Sequence, residues 1–309
     1  MRTSLTLKQL EAILAIAKHG NFTAAAEHLH VSQPALSRIV RLAEESLGTR
    51  IFDRDTRSVT LTPEGEELIP IATRVLDEFN ESTGELYQFM EGKRGRVRVS
   101  ALPSIAQYLL LDSVKRYCTD YPGVGFTLRV DTADQILALL ERREIDVGLG
   151  VQPPPDGRFN YRHLYDDHFV LVCPRDDALN DHKTRDRALS WRVFASRPFI
   201  AVTPGTSTRA ATDAAFIEAG VTIRPVLEVA SMDLQFIGGL VASGLGLTAL
   251  PRSTFTHLGQ AGLAARSLND PVMQRRIGIL SLAGRSMSTA VERFCSYVEQ
   301  NALSHVVGD

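Results

Sequence analysis

The segment 21–48 constrains the fold of this chain more than any other. Asn21 or Thr23 can cap a short helix in which three successive alanines allow close approach of another backbone. A tight turn follows, and Ser32 can then cap a second helix whose first turn tolerates Pro34. The segment therefore predicts two short helices joined by a turn, and the neighbouring elements have to pack around this pair.

The second predicted helix has two opposed faces. Apolar residues recur along it at gaps of four, three and four positions, the spacing of one buried stripe. That stripe consists of Leu36, Val40, Ala43 and Leu47. The opposite stripe is polar and basic, and it consists of Pro34, Arg38, Arg41 and Glu45, with Ser37 at its edge. A helix with such a face has the size and charge to enter the major groove of DNA.

Two flanking elements complete the predicted N-terminal domain. The apolar residues of segment 7–17 are spaced by three and four, which predicts a preceding helix that ends at Gly20. Beyond the pair, Ile51 and Val59 flank a charged turn, a pattern typical of a short β-hairpin. We therefore predict a winged helix-turn-helix domain over residues 1–62.

A long helix follows the predicted hairpin. A capping threonine precedes Pro63, and proline suits the first helical position. Across segment 68–90, apolar residues recur at gaps of four and three, which is a coiled-coil-like seam. Pro70 lies inside this segment, where it should cost about 3 kcal/mol unless the helix kinks. We predict a linker helix over 63–91 whose seam needs a partner, and self-dimerisation is the simplest source of one.

The C-terminal two thirds of the chain alternate strand and helix patterns. A charged, glycine-containing hinge at 92–95 precedes one such series, which ends at Leu149, and a second series runs over 169–250. Such alternation predicts a mostly parallel α/β sheet. We therefore predict a domain over 92–309 with two lobes and a cleft between them. The first lobe is expected to cover about 92–164 and 270–309, because the last helix should return to it, and the second lobe about 165–269.

Particular residues stand at fixed spacings between Leu10 and Gly65. They are Phe22, Thr23, Ala25, Ala26, Leu29, Val31, Ser32, Gln33, Pro34, Ala35, Leu36, Ser37, Leu47, Gly48, Ile51, Phe52, Arg54, Arg57, Leu61, Thr62 and Gly65. With the glycine-rich run 244–251, they make the chain resemble the LysR-type transcriptional regulators over essentially its full length. The chain departs from the family pattern at Ile39, commonly a polar residue, and at Ala43, commonly leucine. We expect Ile39 to fill the space that Ala43 leaves.

This resemblance implies an α/β fold class with an N-terminal winged helix, a long linker helix and a two-lobed regulatory domain like that of periplasmic binding proteins. It implies a sequence-specific transcriptional regulator, activator or repressor, that is switched by a small-molecule effector, often an organic acid, in the interlobe cleft. It also implies double-stranded promoter DNA and RNA polymerase as partners, and a homodimer or homotetramer as the assembly.

The DNA-binding residues are predicted from the second helix of the pair and from the wing. Gln33 is the natural partner for adenine, Arg38 can bind guanine or a phosphate, and Ser37 can bond to any base. The arginines of the wing would reach the DNA backbone or the minor groove. The predicted set is Ser32, Gln33, Pro34, Ser37, Arg38, Arg41, Arg54 and Arg57. The alternative for Arg38 and Arg41 is a merely solvated helix face, because surface charges are common.

Hydroxyl residues mark the predicted cleft. All but Thr248, which lies on a predicted strand, stand where strands end and helices begin, and ligands of open α/β sheets bind outside the carboxyl ends of strands. A helix start also offers free amides that can hold an anion. The predicted effector-binding residues are Ser104, Thr132, Thr203, Thr206, Ser207 and Thr248. Each hydroxyl could instead only cap its own helix.

Other classes of protein are less consistent with the sequence. It contains neither a G-x-S-x-G nucleophile elbow nor a P-loop lysine nor an HExxH pair, so we expect no catalytic residues and no enzyme. The adjacent Asp166, Asp167 and His168 would point to opposite faces of a strand, so we expect no metal site. The net charge of −2 argues against a protein that coats nucleic acid throughout, but allows a local basic patch.

Location and redox chemistry remain as expectations. The N-terminus has no apolar signal core, and no apolar run approaches the roughly 20 residues that span a bilayer, so we expect a cytoplasmic protein without cofactors. The three cysteines, Cys118, Cys173 and Cys295, have no metal-ligand spacing, and we expect Cys118 and Cys173 to be small buried hydrophobic residues. Two alternatives stay open: a redox-sensing regulator of the same fold, and a cytoplasmic solute-binding protein.

Overall fold

The computed structural model describes residues 5–54, 59–181, 187–230, 234–256, 258 and 262–306. Contacts divide the chain into two compact units, Met1–Tyr87 and Gln88–Asp309. We refer to the first unit as the head and to the second as the sensor. The linker helix begins in the head and ends in the sensor.

The head has the predicted helices and hairpin. Asn21, not Thr23, caps the second helix, since its side chain accepts a hydrogen bond of 2.7 Å from the amide of Ala24. Ser32 caps the third, and Gly48 ends it in the left-handed region at φ 74°. The elements are α1 (Leu7–His19), α2 (Phe22–His28), α3 (Gln33–Leu47), β1 (Phe52–Arg54), β2 (Val59–Leu61) and α4 (Pro63–Met90).

A single apolar cluster holds the head together. Leu36, Val40 and Ala43 of α3 are fully buried against α1, α2 and β1, so the predicted buried stripe is confirmed for these three residues. Ile39 is partly buried and packs against the same cluster, as expected beside the small Ala43. Gly65 lies where a Cβ atom would be 2.3 Å from the carbonyl oxygen of Ile51, so α4 passes this close only with glycine there.

The linker helix α4 is continuous over Pro63–Met90 and includes Pro70, whose side chain is exposed. Part of its apolar seam is buried within the head, at Ala72 and Leu76. Leu68 and Ile69 are partly buried against the head. The other large apolar residues are exposed within the single chain, and they are Ile71, Val75, Phe79, Leu86, Tyr87, Phe89 and Met90. The helix therefore carries an apolar stripe that the chain itself leaves uncovered.

The sensor is built from a mixed sheet with flanking helices. Its strands are β3 (Gly95–Ala101), β4 (Val124–Val130), β5 (Val147–Val151), β6 (Phe159–Pro174), β7 (Leu189–Ser190), β8 (Ile200–Val202), β9 (Leu227–Val229), β10 (Thr248–Pro251), β11 (Leu263–Asn269) and β12 (Gln274–Leu282). Its helices are α5 (Pro103–Ile105), a π-helical turn (Ala106–Leu110), α6 (Leu111–Asp120), α7 (Ala133–Glu141), α8 (Ser207–Glu218), α9 (Leu234–Ala242), α10 (Arg252–Thr256) and α11 (Thr289–Val306). Two short 3-10 helices cover Ala178–Asn180 and Trp191–Ser196.

The strand order corrects two predictions. The main sheet runs β4-β3-β5-β12-β6-β11-β7, with β10 also paired to β6, while β8 and β9 form a separate parallel pair. β12 is antiparallel to both β5 and β6, and β10 and β11 are antiparallel to β6. The sheet is therefore mixed, and the prediction of a mostly parallel sheet was wrong. The sequence also indicated only a short strand at 169–172, whereas β6 has 16 residues.

Strand β6 passes through both lobes. Its first part pairs with β12, from Phe159 to His168, and its last part pairs with β10 and β11. The core of lobe 1 brings Val97 of β3 together with Phe294 and Val298 of α11, so the last helix returns to this lobe as predicted. The core of lobe 2 surrounds Trp191. The two strands β6 and β12 therefore form the floor between the lobes.

Candidate DNA-binding face and ligand cleft

The outer face of α3 is open to solvent. Gln33, Arg38 and Arg41 are exposed, and Ser37 is half-buried. Ser32 is exposed but already employed, because its hydroxyl accepts the amide of Ala35. Pro34 is also exposed and lies in the first turn of α3. The N-terminal half of α3 thus presents an amide, a hydroxyl and a guanidinium group on one accessible surface.

The two glutamates of α3 act differently. Glu44 turns toward the wing, where its carboxylate accepts a hydrogen bond of 2.9 Å from the amide of Ile51. Glu45 forms an ion pair of 3.6 Å with Arg41, one helical turn earlier. Arg38 has no ion pair or hydrogen bond to any residue that the structure describes. Its guanidinium is therefore available for a phosphate or a base.

The wing is only partly described. Arg54 is the last residue of β1, and its side chain lies outside the described residues. Arg57 lies entirely outside them. Both remain predictions.

Four of the six predicted effector-binding residues line one cavity between the lobes of the sensor. This cleft has a volume of about 510 Å³ including its open mouth. Its lining contains Ser104, Thr132, Thr206 and Ser207, together with Leu102, Pro103, Ala133, Val202, Thr208, Thr254 and Arg275. The helix starts of α5, α7 and α8 therefore converge on one space.

Two of these hydroxyls also cap helices. Thr132 accepts the amide of Gln135 at the start of α7, and Thr206 accepts the amide of Arg209 at the start of α8. Capping and lining the cavity are both compatible with the geometry, because a hydroxyl has two acceptor lone pairs and one donor.

The other two predicted residues do not line the cleft. Thr248 is buried in β10, and its hydroxyl donates a hydrogen bond of 2.9 Å to the carbonyl oxygen of Ile200. Thr203 contributes its carbonyl oxygen to the hydroxyl of Thr206 at 3.1 Å. The hydroxyl of Thr248 is thus used within lobe 2, and Thr203 takes part in the turn before α8 through its backbone.

Arg275 of β12 is the charged residue of the cleft lining, and the sequence did not indicate it. Its side chain is buried, and it forms an ion pair of 2.7 Å with Asp167, its cross-strand partner on β6. The same guanidinium donates to Ser104 of lobe 1 at 3.1 Å and to Ser207 of lobe 2 at 3.3 Å. A single side chain on the floor thus contacts both walls of the cleft.

The carboxylate beside it is held in place as well. Asp167 is buried and accepts hydrogen bonds from the amide and the hydroxyl of Ser253, at 3.1 and 2.7 Å. The Nε atom of Arg275 is buried and has no hydrogen-bond partner among the described residues. A buried donor without a partner is rare and costs about 1–3 kcal/mol, so this atom points to a ligand or an ordered water.

The electrostatics of the cleft favour an anion. Asp167 compensates the charge of Arg275, and the two Nη atoms of Arg275 donate to Asp167, Ser104, Ser207 and Thr208, which leaves the Nε–H group to donate to a ligand. The starts of α7 and α8 add partial positive charge and unpaired amides. A small carboxylate could therefore bind between the guanidinium and the helix starts, where the ring of hydroxyls would satisfy its remaining lone pairs.

None of the three cysteines lines this cleft. Cys118 is exposed on α6, so the expectation that it is buried was wrong, whereas Cys173 is buried as expected and Cys295 is buried as well. Burial raises the pKa of Cys173 to about 11 and that of Cys295 to about 12, so both thiols are protonated at neutral pH. Among the described residues, no group of histidine, cysteine and carboxylate side chains has the arrangement of a metal site.

No helix in the described ranges has both the length and the apolar character needed to cross a membrane.

Comparison with known proteins gives two family matches. Residues 7–66 match the bacterial regulatory helix-turn-helix protein family of lysR type, and residues 90–303 match the LysR substrate binding domain. The chain is 30% identical over 294 residues to the RuBisCO operon transcriptional regulator of Acidithiobacillus ferrooxidans, covering 95% of this chain and 93% of that protein.

Solved structures share the fold. The oxidized form of OxyR from Corynebacterium glutamicum has a TM-score of 0.72 and 25% identity, with coverage of 100% of this chain and 96% of that one. The regulatory domain of CcmR from Synechocystis PCC6803, in complex with 2-PG, has a TM-score of 0.60 and 24% identity. The matched region comprises 67% of this chain and 97% of that domain.

Proposed function

Because the chain belongs to the LysR family of DNA-binding transcriptional regulators with an effector-binding domain, we propose that its effector is a small carboxylate bound at Arg275. Binding of this anion in the cleft changes how the head engages promoter DNA. The family match over residues 7–66 argues against the alternative of a solute-binding protein.

One observation carries the choice of ligand. The Nε donor of Arg275 is buried without a partner among the described residues and belongs to a side chain on the floor of the cleft. A carboxylate oxygen would satisfy it with a charge-assisted hydrogen bond. The regulatory domain of CcmR was solved in complex with 2-PG, which supports a small ligand for a domain of this fold. The absence of a cysteine from the lining favours a bound effector over a thiol switch at this site.

The contacts of Arg275 also suggest how the signal arises. The guanidinium bonds to Ser104 of lobe 1 and to Ser207 of lobe 2, so an anion that competes for its donors changes the contacts between the lobes. Such a ligand shifts the equilibrium only if it binds one lobe arrangement more tightly than the other. Coupling of this kind is typically worth about 1–3 kcal/mol.

In the head, Gln33, Ser37 and Arg38 would contact base edges, while Arg41 and the wing arginines Arg54 and Arg57 would contact phosphates or the minor groove. The exposed positions on α3 support this assignment. Ser32 and Pro34 would set the start of the helix so that its first amides face the DNA backbone.

The assembly would be a homodimer, paired through the uncovered apolar stripe of α4, with two dimers forming a tetramer. Large exposed apolar patches on a soluble protein mark interaction sites, and a stripe at coiled-coil spacing suits a second copy of the same helix. We also propose that the regulator works in the cytoplasm and contacts RNA polymerase at its promoters.

The test is a thermal melt of the full chain with a panel of small carboxylates, each paired with its neutral amide. At least one carboxylate should raise the melting temperature, since a ligand at a hundred times its Kd stabilises by about 2.7 kcal/mol. R275Q should abolish that shift. R276Q is the matched control, because Arg276 is the next residue and bonds to Gln152 instead, outside the cleft.

A shift that survives in R275Q, or that the amide produces equally well, would contradict the proposal. R275Q leaves Asp167 without its counter-charge and so lowers stability by itself. The double variant D167N/R275Q removes both charges, and it should melt closer to the wild type while still failing to respond to the carboxylate.

A further inference from the structure

A second cavity lies on lobe 1, at the end of the linker helix. It has a volume of about 770 Å³ including its open mouth and shares no lining residue with the effector cleft. Phe89, in the last turn of α4, lines one side. Three arginines and a single carboxylate provide the charged part of the lining, and they are Arg96, Arg98, Arg285 and Asp146.

The charges in this cavity do not balance. Asp146 is engaged by Arg98, whose Nε and Nη2 atoms donate to its two oxygens at 3.1 and 2.7 Å. Arg285 approaches the same carboxylate only to 3.6 Å. Arg96 donates to the neutral hydroxyl of Thr127 at 3.3 Å. The lining thus holds three guanidinium groups and one carboxylate, which Arg98 engages, so it carries an excess of two positive charges.

The start of α11 adds to this positive potential. Ser288, which caps the helix, lines the cavity. The helix has 18 residues, so its N-terminus carries a substantial partial positive charge. Arg96 and Arg285 are exposed to solvent, and an anion that enters the cavity would meet this uncompensated positive potential.

We propose that this cavity is a second ligand site that takes a small anion bearing a phosphate group. A phosphate group carries up to two negative charges and has three terminal oxygens, so it can accept hydrogen bonds from two guanidinium groups at once. A monocarboxylate matches one guanidinium and compensates only half of the excess.

The position of the cavity connects it to the hinge. The backbone oxygens of Met90, Glu91 and Gly92 accept hydrogen bonds from Thr289 and Arg293 of α11, at 2.8 to 3.1 Å. Arg293 also lies over the ring of Tyr121, at 4.5 Å from its centre. A ligand between Phe89 and the start of α11 would therefore strengthen the attachment of the linker to the sensor, independently of the effector cleft.

The experiment is a calorimetric titration of the full chain with inorganic pyrophosphate in a phosphate-free buffer. We expect one saturable site per chain. R285Q and R96Q should each weaken it about tenfold or more, because each removes a charge-assisted hydrogen bond. R224Q is the matched control, since Arg224 is exposed and lies outside this cavity. The double variant D167N/R275Q, which removes both charges of the buried pair, should bind pyrophosphate as the wild type does, and this separates the site from the effector cleft.

Three results would overturn the proposal. The first is binding of pyrophosphate that R285Q and R96Q leave intact, or that R224Q weakens equally. The second is loss of binding in D167N/R275Q while its melting temperature shows that the sensor is folded, because the anion would then occupy the effector cleft. The third concerns the source of the phosphate: if R285Q and R96Q weaken binding of a random-sequence DNA duplex and reduce its salt slope by about 1 each, the cavity contacts DNA backbone and not a free metabolite.

Discussion

The outer face of α3 and the floor of the ligand cleft each carry an arginine–carboxylate pair, and the two pairs have little else in common. Arg41 and Glu45 are one helical turn apart, 66% and 61% exposed, and separated by 3.6 Å. Arg275 and Asp167 are 108 positions apart in the chain, 4% and 2% exposed, and separated by 2.7 Å. The first pair is fixed by local spacing, whereas the second exists only because β6 and β12 pair in one register.

This difference bears on what each region can do. An exposed pair contributes little to stability, so Arg41 and its neighbours can exchange water and a glutamate for DNA phosphates at small cost. A buried pair cannot be separated so easily, because either charge alone would remain desolvated. The head can therefore bind and release DNA readily, while the cleft keeps Arg275 in position whether or not a ligand is present.

The substitution D167N should produce the largest effect. It leaves Arg275 buried without a counter-charge, and we expect it to destabilise the sensor by about 3–5 kcal/mol. Trp191 is the only tryptophan of the chain and is buried in lobe 2, so its fluorescence during urea unfolding reports on the sensor. The double variant D167L/R275M should recover much of the loss. An unchanged unfolding midpoint in D167N would mean that solvent reaches Arg275, so that the pair in the cleft does not differ from the exposed pair on α3 in its contribution to stability.

An intermediate effect is expected for Q33A and R38A. Each should weaken binding to upstream intergenic DNA by about 1–3 kcal/mol, the range for a bidentate contact to a base. Fluorescence anisotropy measures this, with a random-sequence duplex as the control. Loss on both duplexes would assign Arg38 to a phosphate, and loss on the specific duplex alone would assign it to a base. Wild-type affinity in both variants would show that this face of α3 is only solvated and does not contact DNA.

The smallest effect is expected for E45Q. Removing an exposed pair should change the stability of the head by no more than about 0.5 kcal/mol. DNA binding should become slightly tighter at low salt, because a negative charge disappears beside Arg41, and the gain should vanish as salt is added. Anisotropy at two salt concentrations checks this. Weaker binding would show that Glu45 holds Arg41 in its binding geometry.

The head was predictable because its signals are local. The cap at Ser32, the stripe through Leu36 and Val40, and the start of α4 at Pro63 are each encoded within a few residues. Asn21 and Thr23 were equivalent candidates for the cap of α2, and only the structure decides for Asn21. The same holds for Ser104, Thr132, Thr206 and Ser207, since helix starts at the ends of strands can be recognised from turn and capping residues.

The cleft floor was not predictable, because the contacts that form it are not local in the sequence. Arg275 stands between Gln274 and Arg276, which together are typical of an exposed polar run. Its burial depends on pairing with Asp167, more than a hundred positions earlier, and periodicity within one segment carries no information on such a partner. The antiparallel pairing of β12 also made the sheet mixed. Thr248 was included because it lies on a strand, but the direction of its hydroxyl toward Ile200 depends on the neighbouring strand.

The return of α11 to lobe 1 has a consequence for how the protein is made. The core of that lobe joins Val97 to Phe294 and Val298, so it cannot close until nearly the whole chain has left the ribosome. The head needs only the first 87 residues. At roughly 5–20 residues per second, translation of the sensor takes about 10–40 s after the head has emerged. During that interval a folded head is attached to an unfinished sensor, and the nascent chain offers the exposed strands β3, β4 and β5 to chaperones before their last partner helix exists.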